Sequence, residues 1–133
     1  MRDVEVGDRL PALVKVVTTE QLVRYAGAAN DYARIHYDHA HARERGFPGV
    51  IVHGLLKAAF LGQLVTEWCG PDAWVRRFSV QYRRNDFPAQ PITCHGRVTA
   101  TAADSVELEL WTEDPERQVT TKGTATVVFG PSA

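Results

Sequence analysis

Residues 25–56 contain the side chains of this sequence that are best suited to acid–base chemistry. Asp31 precedes His36 with four residues between them, and His53-Gly54 follows at the start of a long apolar segment. A carboxylate and an imidazole can move protons near neutral pH, and the N–H groups at a helix N-terminus can stabilise negative charge that develops on an oxygen. Together these groups predict an enzyme that transfers protons on a carbonyl compound.

The residues around this segment carry the signals of three helices. A capping-box pattern that starts at Thr18 predicts a helix that runs to about Ala29. Asp38 is predicted to cap a short second helix that ends at Gly46. The apolar residues of Gly54–Trp68 cover most of the circumference of a helix, which is typical of a buried helix. The candidate residues therefore lie between helices and at the start of the buried one.

Beyond residue 73, apolar and polar residues alternate with a period of two, as in strands that are covered on one face. The predicted strands are an N-terminal one around Val4–Val17 and four later ones, Phe78–Tyr82, Ile92–Ala102, Val106–Thr112 and Gln118–Phe129. Because short turns separate the later strands, neighbours must be antiparallel, and the sheet must cover the apolar helix. The sequence therefore predicts an α+β hot-dog fold, a curved antiparallel sheet wrapped around a long central helix, with residues 1–133 forming a single domain.

The composition argues against several classes of partner. The 133 residues include 15 basic and 16 acidic side chains, so the chain lacks the basic surplus of a nucleic-acid-binding protein. The charged N-terminus does not resemble a signal peptide, and the apolar run over residues 55–65 is too short to span a bilayer. Cys69 and Cys94 lack metal-ligand spacing and are predicted to be buried thiols in a reducing compartment. We expect a soluble cytoplasmic protein without a nucleic-acid or membrane partner.

The segment over residues 25–56 resembles the signature of the MaoC-like hydratases and dehydratases, the (R)-specific enoyl-thioester hydratase group of hot-dog enzymes. The matching features are Asp31 and His36 at their spacing, then Gly46-Phe-Pro-Gly49, then Ile51-Val-His-Gly-Leu55. This compound motif is more specific than an isolated aspartate–histidine pair. The length and the element order extend the resemblance over essentially the whole chain.

The resemblance implies roles for individual residues. In that family the aspartate and the histidine form the catalytic pair, and the amide at the Gly54 position polarises the thioester carbonyl, which implies these roles for Asp31, His36 and Gly54. Val52 and His53 adjoin Gly54 and are expected to belong to the same substrate-binding site, although His53 also fits a role that only supports the loop. The implied reaction is reversible hydration of a 2-enoyl thioester to the (R)-3-hydroxyacyl thioester. No cofactor is expected beyond the coenzyme A or phosphopantetheine of the substrate itself.

Two further groups of residues are candidates for ligand binding. Arg83 and Arg84, near a predicted strand end, could hold the phosphates of coenzyme A or of a carrier-protein arm, and simple solvent exposure explains the pair equally well. The histidines of the segment His36-Tyr-Asp-His-Ala-His41 suggest a metal site at first sight. Neighbouring positions on a short helix point in different directions, so no metal is predicted.

Two other functions compete with the hydratase hypothesis. A hot-dog thioesterase would also use an acid and a helix N-terminus, but the spacing of Asp31 and His36 disfavours it. A non-catalytic hot-dog subunit would stabilise an active partner, but such a subunit would not require both of these residues. Leu64–Pro71 resembles the small subunits of sterol side-chain and long-chain acyl dehydratases, whereas Arg34–Asp38 with the following Gly-Phe-Pro-Gly resembles mesaconyl- and methylfumaryl-CoA hydratases.

Assembly and substrate identity are less constrained by the sequence. A hot-dog sheet exposes an edge, and a thioester with a long pantetheine arm needs a tunnel that two subunits can form. We therefore expect a homodimer or a heteromer with another hot-dog chain. Many relatives carry Asn-Pro where this chain has Ala33-Arg34, and a hydroxyl where it has Ala58, Ala59 or Gly62. These departures leave the acyl chain, the carrier and the physiological direction open.

Overall fold

The computed structural model describes residues 3–130, and its elements follow the order predicted from the sequence. The helices are α1 (Thr19–Ala28), α2 (His39–Glu44) and α3 (Gly54–Cys69), with a short 3₁₀ turn at Arg34–His36 between α1 and α2. The strands are β1 (Leu13–Val16), β2 (Ala73–Tyr82), β3 (Pro91–Thr101), β4 (Ser105–Glu113) and β5 (Val119–Phe129). The segment with the candidate residues therefore lies between α1 and α3.

The five strands form one antiparallel sheet in the order β1-β3-β4-β5-β2. β2 follows α3 in the chain but pairs with β5, so it forms the edge opposite β1. The register shifts by one residue at Val75/Arg77 in β2 and at Val98/Ala100 in β3. Such bulges increase the local twist and bend the strands, which helps the sheet to curl around a helix.

The central helix α3 packs against the inner face of this sheet. Its side chains Leu61 and Val65 are fully buried. They belong to one core cluster with sheet residues that are at most 1% exposed, among them Ile92, Leu108, Leu110 and Val127. A helix that is apolar around most of its circumference can be covered in this way only if the sheet wraps around it. The predicted hot-dog fold is confirmed.

The predicted helix caps are also confirmed. Thr18 Oγ1 accepts a hydrogen bond from the N–H of Gln21 at 3.1 Å, and Asp38 Oδ1 accepts one from the N–H of His41 at 3.1 Å. Each bond satisfies one of the N–H groups that the first turn of a helix leaves without a backbone partner. Both helices flanking the Asp31–His36 loop thus begin at residues that the sequence marks.

The prediction of a strand around Val4–Val17 was wrong for most of its length. Only Leu13–Val16 pairs continuously with β3, and the preceding chain makes one isolated bridge, between Arg9 and Arg97. Gly7 has a φ of 96°, which turns the chain, and Pro11 cannot donate to a strand ladder. The prediction of β2 was too short, because pairing with β5 begins at Ala73 and not at Phe78.

Two smaller expectations concern the cysteines and the apolar helix. Cys69 and Cys94 are both buried, as predicted. Burial raises the pKa of the Cys94 thiol to about 12, so this side chain stays protonated at neutral pH. Across residues 3–130, no helix has the length and apolarity that crossing a membrane would need.

Candidate active site

Asp31 lies in the loop that ends α1. Asn30 has a φ of 52°, in the left-handed region, and this turn brings the Asp31 N–H to the carbonyl oxygen of Ala26 at 2.9 Å. Asp31 Oδ1 accepts from the N–H of Ala33 at 3.3 Å, so one carboxylate oxygen orders the loop. The other oxygen, Oδ2, faces His36, and the side chain is 45% exposed. The carboxylate is therefore held in place by the loop while it stays accessible to solvent.

His36 ends the 3₁₀ turn, and its side chain is buried. Its Nδ1 lies 2.8 Å from the carbonyl oxygen of Ile51. Since a carbonyl only accepts, Nδ1 must carry the hydrogen, which leaves a lone pair on Nε2 of the neutral ring. Nε2 lies 3.7 Å from Asp31 Oδ2, too far for a direct hydrogen bond but close enough for one water molecule to contact both atoms. The pair is thus arranged to share a water.

His53 packs against this pair through its imidazole ring. Its ring stacks on that of His36 with centroids 3.7 Å apart, and Tyr25 packs against its edge at 4.9 Å. Its Nε2 lies 3.4 Å from the carbonyl oxygen of Asp31. Burial, with a smaller effect of the neighbouring His36, lowers the pKa of His53 below its usual range. A neutral His53 avoids two stacked cations, so His36 is the imidazole of the stack that is suited to take up a proton.

Gly54 is the first residue of α3. The N–H groups of a helix's first turn have no partner within the helix, and among the described residues no side chain caps this end. A Cβ added at Gly54 would lie 3.1 Å from three ring atoms of Tyr82, so the end of β2 approaches this backbone closely. Val52 is buried, and its N–H donates to the carbonyl oxygen of Asp86 at 2.9 Å. Val52 therefore holds the chain before the helix and does not present its own amide to a substrate.

Comparison with known proteins identifies the family that shares this architecture. The sequence profile of the MaoC-like domain family matches residues 6–127. The chain belongs to this family. The resemblance recognised in the sequence is therefore confirmed, and the profile extends well beyond the segment over residues 25–56 that carries the motif.

Individual relatives agree with this assignment. The MaoC-like chain is 27% identical, over 95 residues, to the 3-oxo-4,17-pregnadiene-20-carboxyl-CoA hydratase beta subunit of Mycobacterium tuberculosis, a match that covers 71% of this chain and 74% of that subunit. The (R)-hydratase from A. caviae involved in PHA biosynthesis has the same fold, with a TM-score of 0.88 at 24% identity over 97% of this chain and 99% of that one. The ChsH1–ChsH2 complex from Mycobacterium tuberculosis gives a TM-score of 0.87 at 22% identity, over 94% of this chain and 98% of the matched chain.

The sequence interpretation missed a buried ion pair close to the candidate site. Lys57 is fully buried on α3, and its Nζ lies 3.0 Å from Asp86 Oδ2. The available signal was a lysine within a helix that is otherwise apolar around most of its circumference. Such a lysine requires a buried partner.

Three side chains of the types that bind metals, those of Asp31, His36 and His53, also lie close together, with their candidate ligand atoms within 4.8 Å of one another. They are the one such group among residues 3–130. The planes of the two imidazoles are only 19° apart in a stack. Rings stacked in parallel cannot both direct a lone pair at one ion, since the metal lies in the plane of each ligating ring. The nearby His39 does not belong to this group, and its Nδ1 accepts a hydrogen bond from the N–H of Val50 at 3.2 Å. This geometry suits proton transfer better than metal binding.

Arg83 and Arg84 follow β2, directly after Tyr82. Their N–H groups donate to the carbonyl oxygen of Thr120 at 2.9 and 3.1 Å, and both side chains are exposed. Arg83 Nη2 donates to Gln81 Oε1 at 2.9 Å. The two arginines are thus on a segment that adjoins the Gly54 end of α3, and their role in phosphate binding stays a prediction.

A cavity of about 430 Å³ is lined in part by Gly49 and Val50. Its lining includes His39, Asn85 and Asp86 but none of Asp31, His36 and Gly54. The acid–base pair therefore does not open into this cavity.

Proposed function

We propose that this MaoC-like protein catalyses the reversible hydration of 2-enoyl thioesters to (R)-3-hydroxyacyl thioesters, acting as a single-domain hydro-lyase. The observation that carries the proposal is the placement of Asp31 Oδ2 opposite His36 Nε2, at 3.7 Å, in a chain of this family. An (R)-hydratase and a CoA hydratase subunit among its relatives support the same reaction. The substrate brings its own coenzyme A or phosphopantetheine, and no further cofactor takes part.

In the hydration direction, His36 acts first as the base. Its Nε2 takes a proton from the water that Asp31 Oδ2 helps to hold, as the water oxygen forms its bond to C3 of the alkene. The Asp31 carboxylate then stabilises the imidazolium, because the opposite charges lie close together. His36 returns the proton to C2, so one molecule of water has been added and both side chains regain their starting state.

The electrons of the C2–C3 double bond move towards the thioester oxygen during the attack. The Gly54 N–H at the N-terminus of α3 donates a hydrogen bond to this oxygen and, together with the helix dipole, stabilises its negative charge. The absence of a side chain at Gly54 allows the carbonyl to approach the backbone beside the Tyr82 ring. Arg83 and Arg84 bind the phosphates of the carrier at the place where its pantetheine arm extends out of the site.

Product stereochemistry tests the proposed function. Because the water and the returning proton are handled by one pair of side chains on one face of the alkene, we expect syn addition and, as in the related (R)-hydratase, the (R)-product. A panel of 2-enoyl-CoAs that includes crotonyl-CoA should lose its enoyl-thioester absorbance. Chiral analysis of the product should then show the (R)-3-hydroxyacyl thioester. Predominantly (S)-product would contradict the proposal, and release of free thiol without hydroxyacyl product would favour a thioesterase.

A second candidate function is that of a subunit in a heteromeric dehydratase, with little activity alone. It is favoured by the relative that is a hydratase beta subunit and by the structural match to a chain of the ChsH1–ChsH2 complex. In that case the purified chain would hydrate the panel slowly, and a second hot-dog chain would raise the rate. Both versions assign the acid–base chemistry to the same residues.

We expect the protein to be a dimer, formed with itself or with a related hot-dog chain. β2 is an edge strand, and its residues Trp74, Phe78 and Tyr82 are 55%, 38% and 50% exposed. An edge strand that exposes aromatic side chains is a surface on which another chain can pair. Since Tyr82 also lies next to Gly54, a partner chain on this edge would form one side of the substrate site. Light scattering under assay conditions should therefore show an assembly of at least two chains.

The substitution Phe78→Lys should weaken this assembly and lower activity together, because it replaces the central one of the three exposed aromatic side chains of the edge strand with a charge. Val14→Lys is the matched control, since Val14 is 58% exposed on the opposite edge strand, β1. A monodisperse, fully active wild-type monomer would count against a dimeric site.

A further inference from the structure

Lys57 and Asp86 form an ion pair that is almost completely withdrawn from water. Lys57 Nζ lies 3.0 Å from Asp86 Oδ2, and their side chains are 2% and 3% exposed. The same Nζ donates to the carbonyl oxygen of Arg84 at 2.8 Å. Burying two charges costs free energy that their attraction offsets only in a good geometry, and two apolar side chains of similar size often stabilise a fold as well or better. The pair therefore calls for an explanation besides stability.

The contacts of this pair form a closed ring around the start of α3. Lys57 holds the loop after β2 through its bonds to Asp86 and to the backbone of Arg84. The carbonyl oxygen of Asp86 accepts from the N–H of Val52, two residues before Gly54. The ring closes within α3, where the Lys57 N–H donates to the carbonyl oxygen of His53 at 3.3 Å.

The loop held by Lys57 is itself attached to the sheet. The N–H groups of Arg83 and Arg84 both donate to the carbonyl oxygen of Thr120, at the start of β5. The first turn of α3 is consequently fixed against the sheet through Lys57 and Asp86 as well as through its apolar packing. Ordinary van der Waals packing tolerates small shifts of a helix end, whereas a charged group with two fixed hydrogen bonds restricts them.

We propose that Lys57 and Asp86 are a positioning pair that sets the Gly54 amide at the place where the thioester oxygen develops negative charge. The inference rests on the proposed function, because it assigns the pair's purpose to that reaction. Neither side chain touches the substrate. The effect is transmitted through Val52 and His53, the residues that connect the ring to Gly54.

The double variant Lys57→Met/Asp86→Leu tests the proposal. It removes both charges and keeps apolar bulk, so its melting temperature should stay near that of the wild type, whereas each single change leaves an unpaired buried charge and should lower it strongly. Because a misplaced amide weakens transition-state stabilisation most, kcat of the double variant should fall by about tenfold or more while KM changes little. Arg97→Met/Glu109→Leu is the matched control, since it removes an exposed ion pair on β3 and β4 and should leave kcat unchanged.

The position of the amide also has a readout that does not depend on activity. In ¹⁵N-labelled protein, the Gly54 amide resonance should shift and its hydrogen exchange should accelerate in the Lys57→Met/Asp86→Leu variant, but not in the control. If wild-type protein fails to hydrate any enoyl thioester, the proposed function is wrong, and this measurement still decides whether the pair positions Gly54. An unchanged Gly54 resonance, or a folded double variant with wild-type kcat, overturns the inference.

A milder variant covers the case in which the apolar pair does not fold. Asp86→Asn keeps the shape of the side chain and an oxygen that can accept from Lys57, so the hydrogen bond to the loop is retained. The Lys57 charge loses its partner, so the melting temperature should fall, and the comparison is made at a temperature at which the variant is folded. We expect kcat to fall about threefold with KM nearly unchanged, together with a smaller shift of the Gly54 resonance. Wild-type kcat and an unshifted resonance in this variant would equally overturn the inference.

Discussion

Asp31→Asn and His36→Ala are each expected to lower kcat for hydration by on the order of a hundredfold or more, with the fold retained. The amide of the Asp31→Asn variant keeps an oxygen for the bond to the Ala33 N–H, but it has no charge to stabilise the imidazolium. His36→Ala removes the Nε2 base. It also leaves the Ile51 carbonyl oxygen without its 2.8 Å partner, which should cost about 1–3 kcal/mol of unfolding free energy.

Steady-state kinetics on the best enoyl thioester, with circular dichroism and thermal melts of each variant, measure both effects. Asp104→Asn and His41→Ala are matched controls. They make the same two changes elsewhere, at an exposed turn and on α2 respectively. Both controls should keep wild-type turnover. Near-normal turnover in purified Asp31→Asn and His36→Ala would show that the proposed mechanism is wrong.

Gly54→Val should lower kcat by on the order of a hundredfold with a smaller effect on KM. Its Cβ would lie 3.1 Å from the Tyr82 ring, so the ring or the first turn of α3 must move, and the branched side chain occupies the approach of the thioester oxygen. The substitution keeps the N–H itself. Its effect therefore reports the position of the oxygen relative to the amide, which matters most in the transition state.

Glu67→Val is the control for this prediction. Glu67 is exposed on the last turns of the same helix, so the substitution adds a β-branched residue to α3 far from its Gly54 end. Comparable loss of kcat in both variants would indicate a general effect on α3 and not on the Gly54 amide. A rise in KM alone for Gly54→Val would mean that the residue contributes only to ground-state binding.

Local features could be predicted from the sequence because they depend on residues close together in the chain. Thr18 and Asp38 cap helices through bonds to N–H groups three residues away. The apolar circumference of α3 indicates burial without reference to any partner. The N-terminal strand was overestimated because an alternating pattern shows which face is covered and does not show whether a neighbouring strand is present.

The types of the candidate catalytic residues and their order could be predicted from the sequence: an aspartate, a histidine at a fixed spacing, and a glycine that begins the buried helix. Two other features depend on long-range contacts: the Nδ1–H tautomer of His36 is set by a carbonyl oxygen 15 residues away, and Lys57 is buried against Asp86, 29 residues away. The tertiary structure also stacks His53 on His36 and brings Tyr82 to Gly54. These contacts join residues far apart in the chain, and no spacing or periodicity encodes them, because they exist only once the sheet has closed around α3.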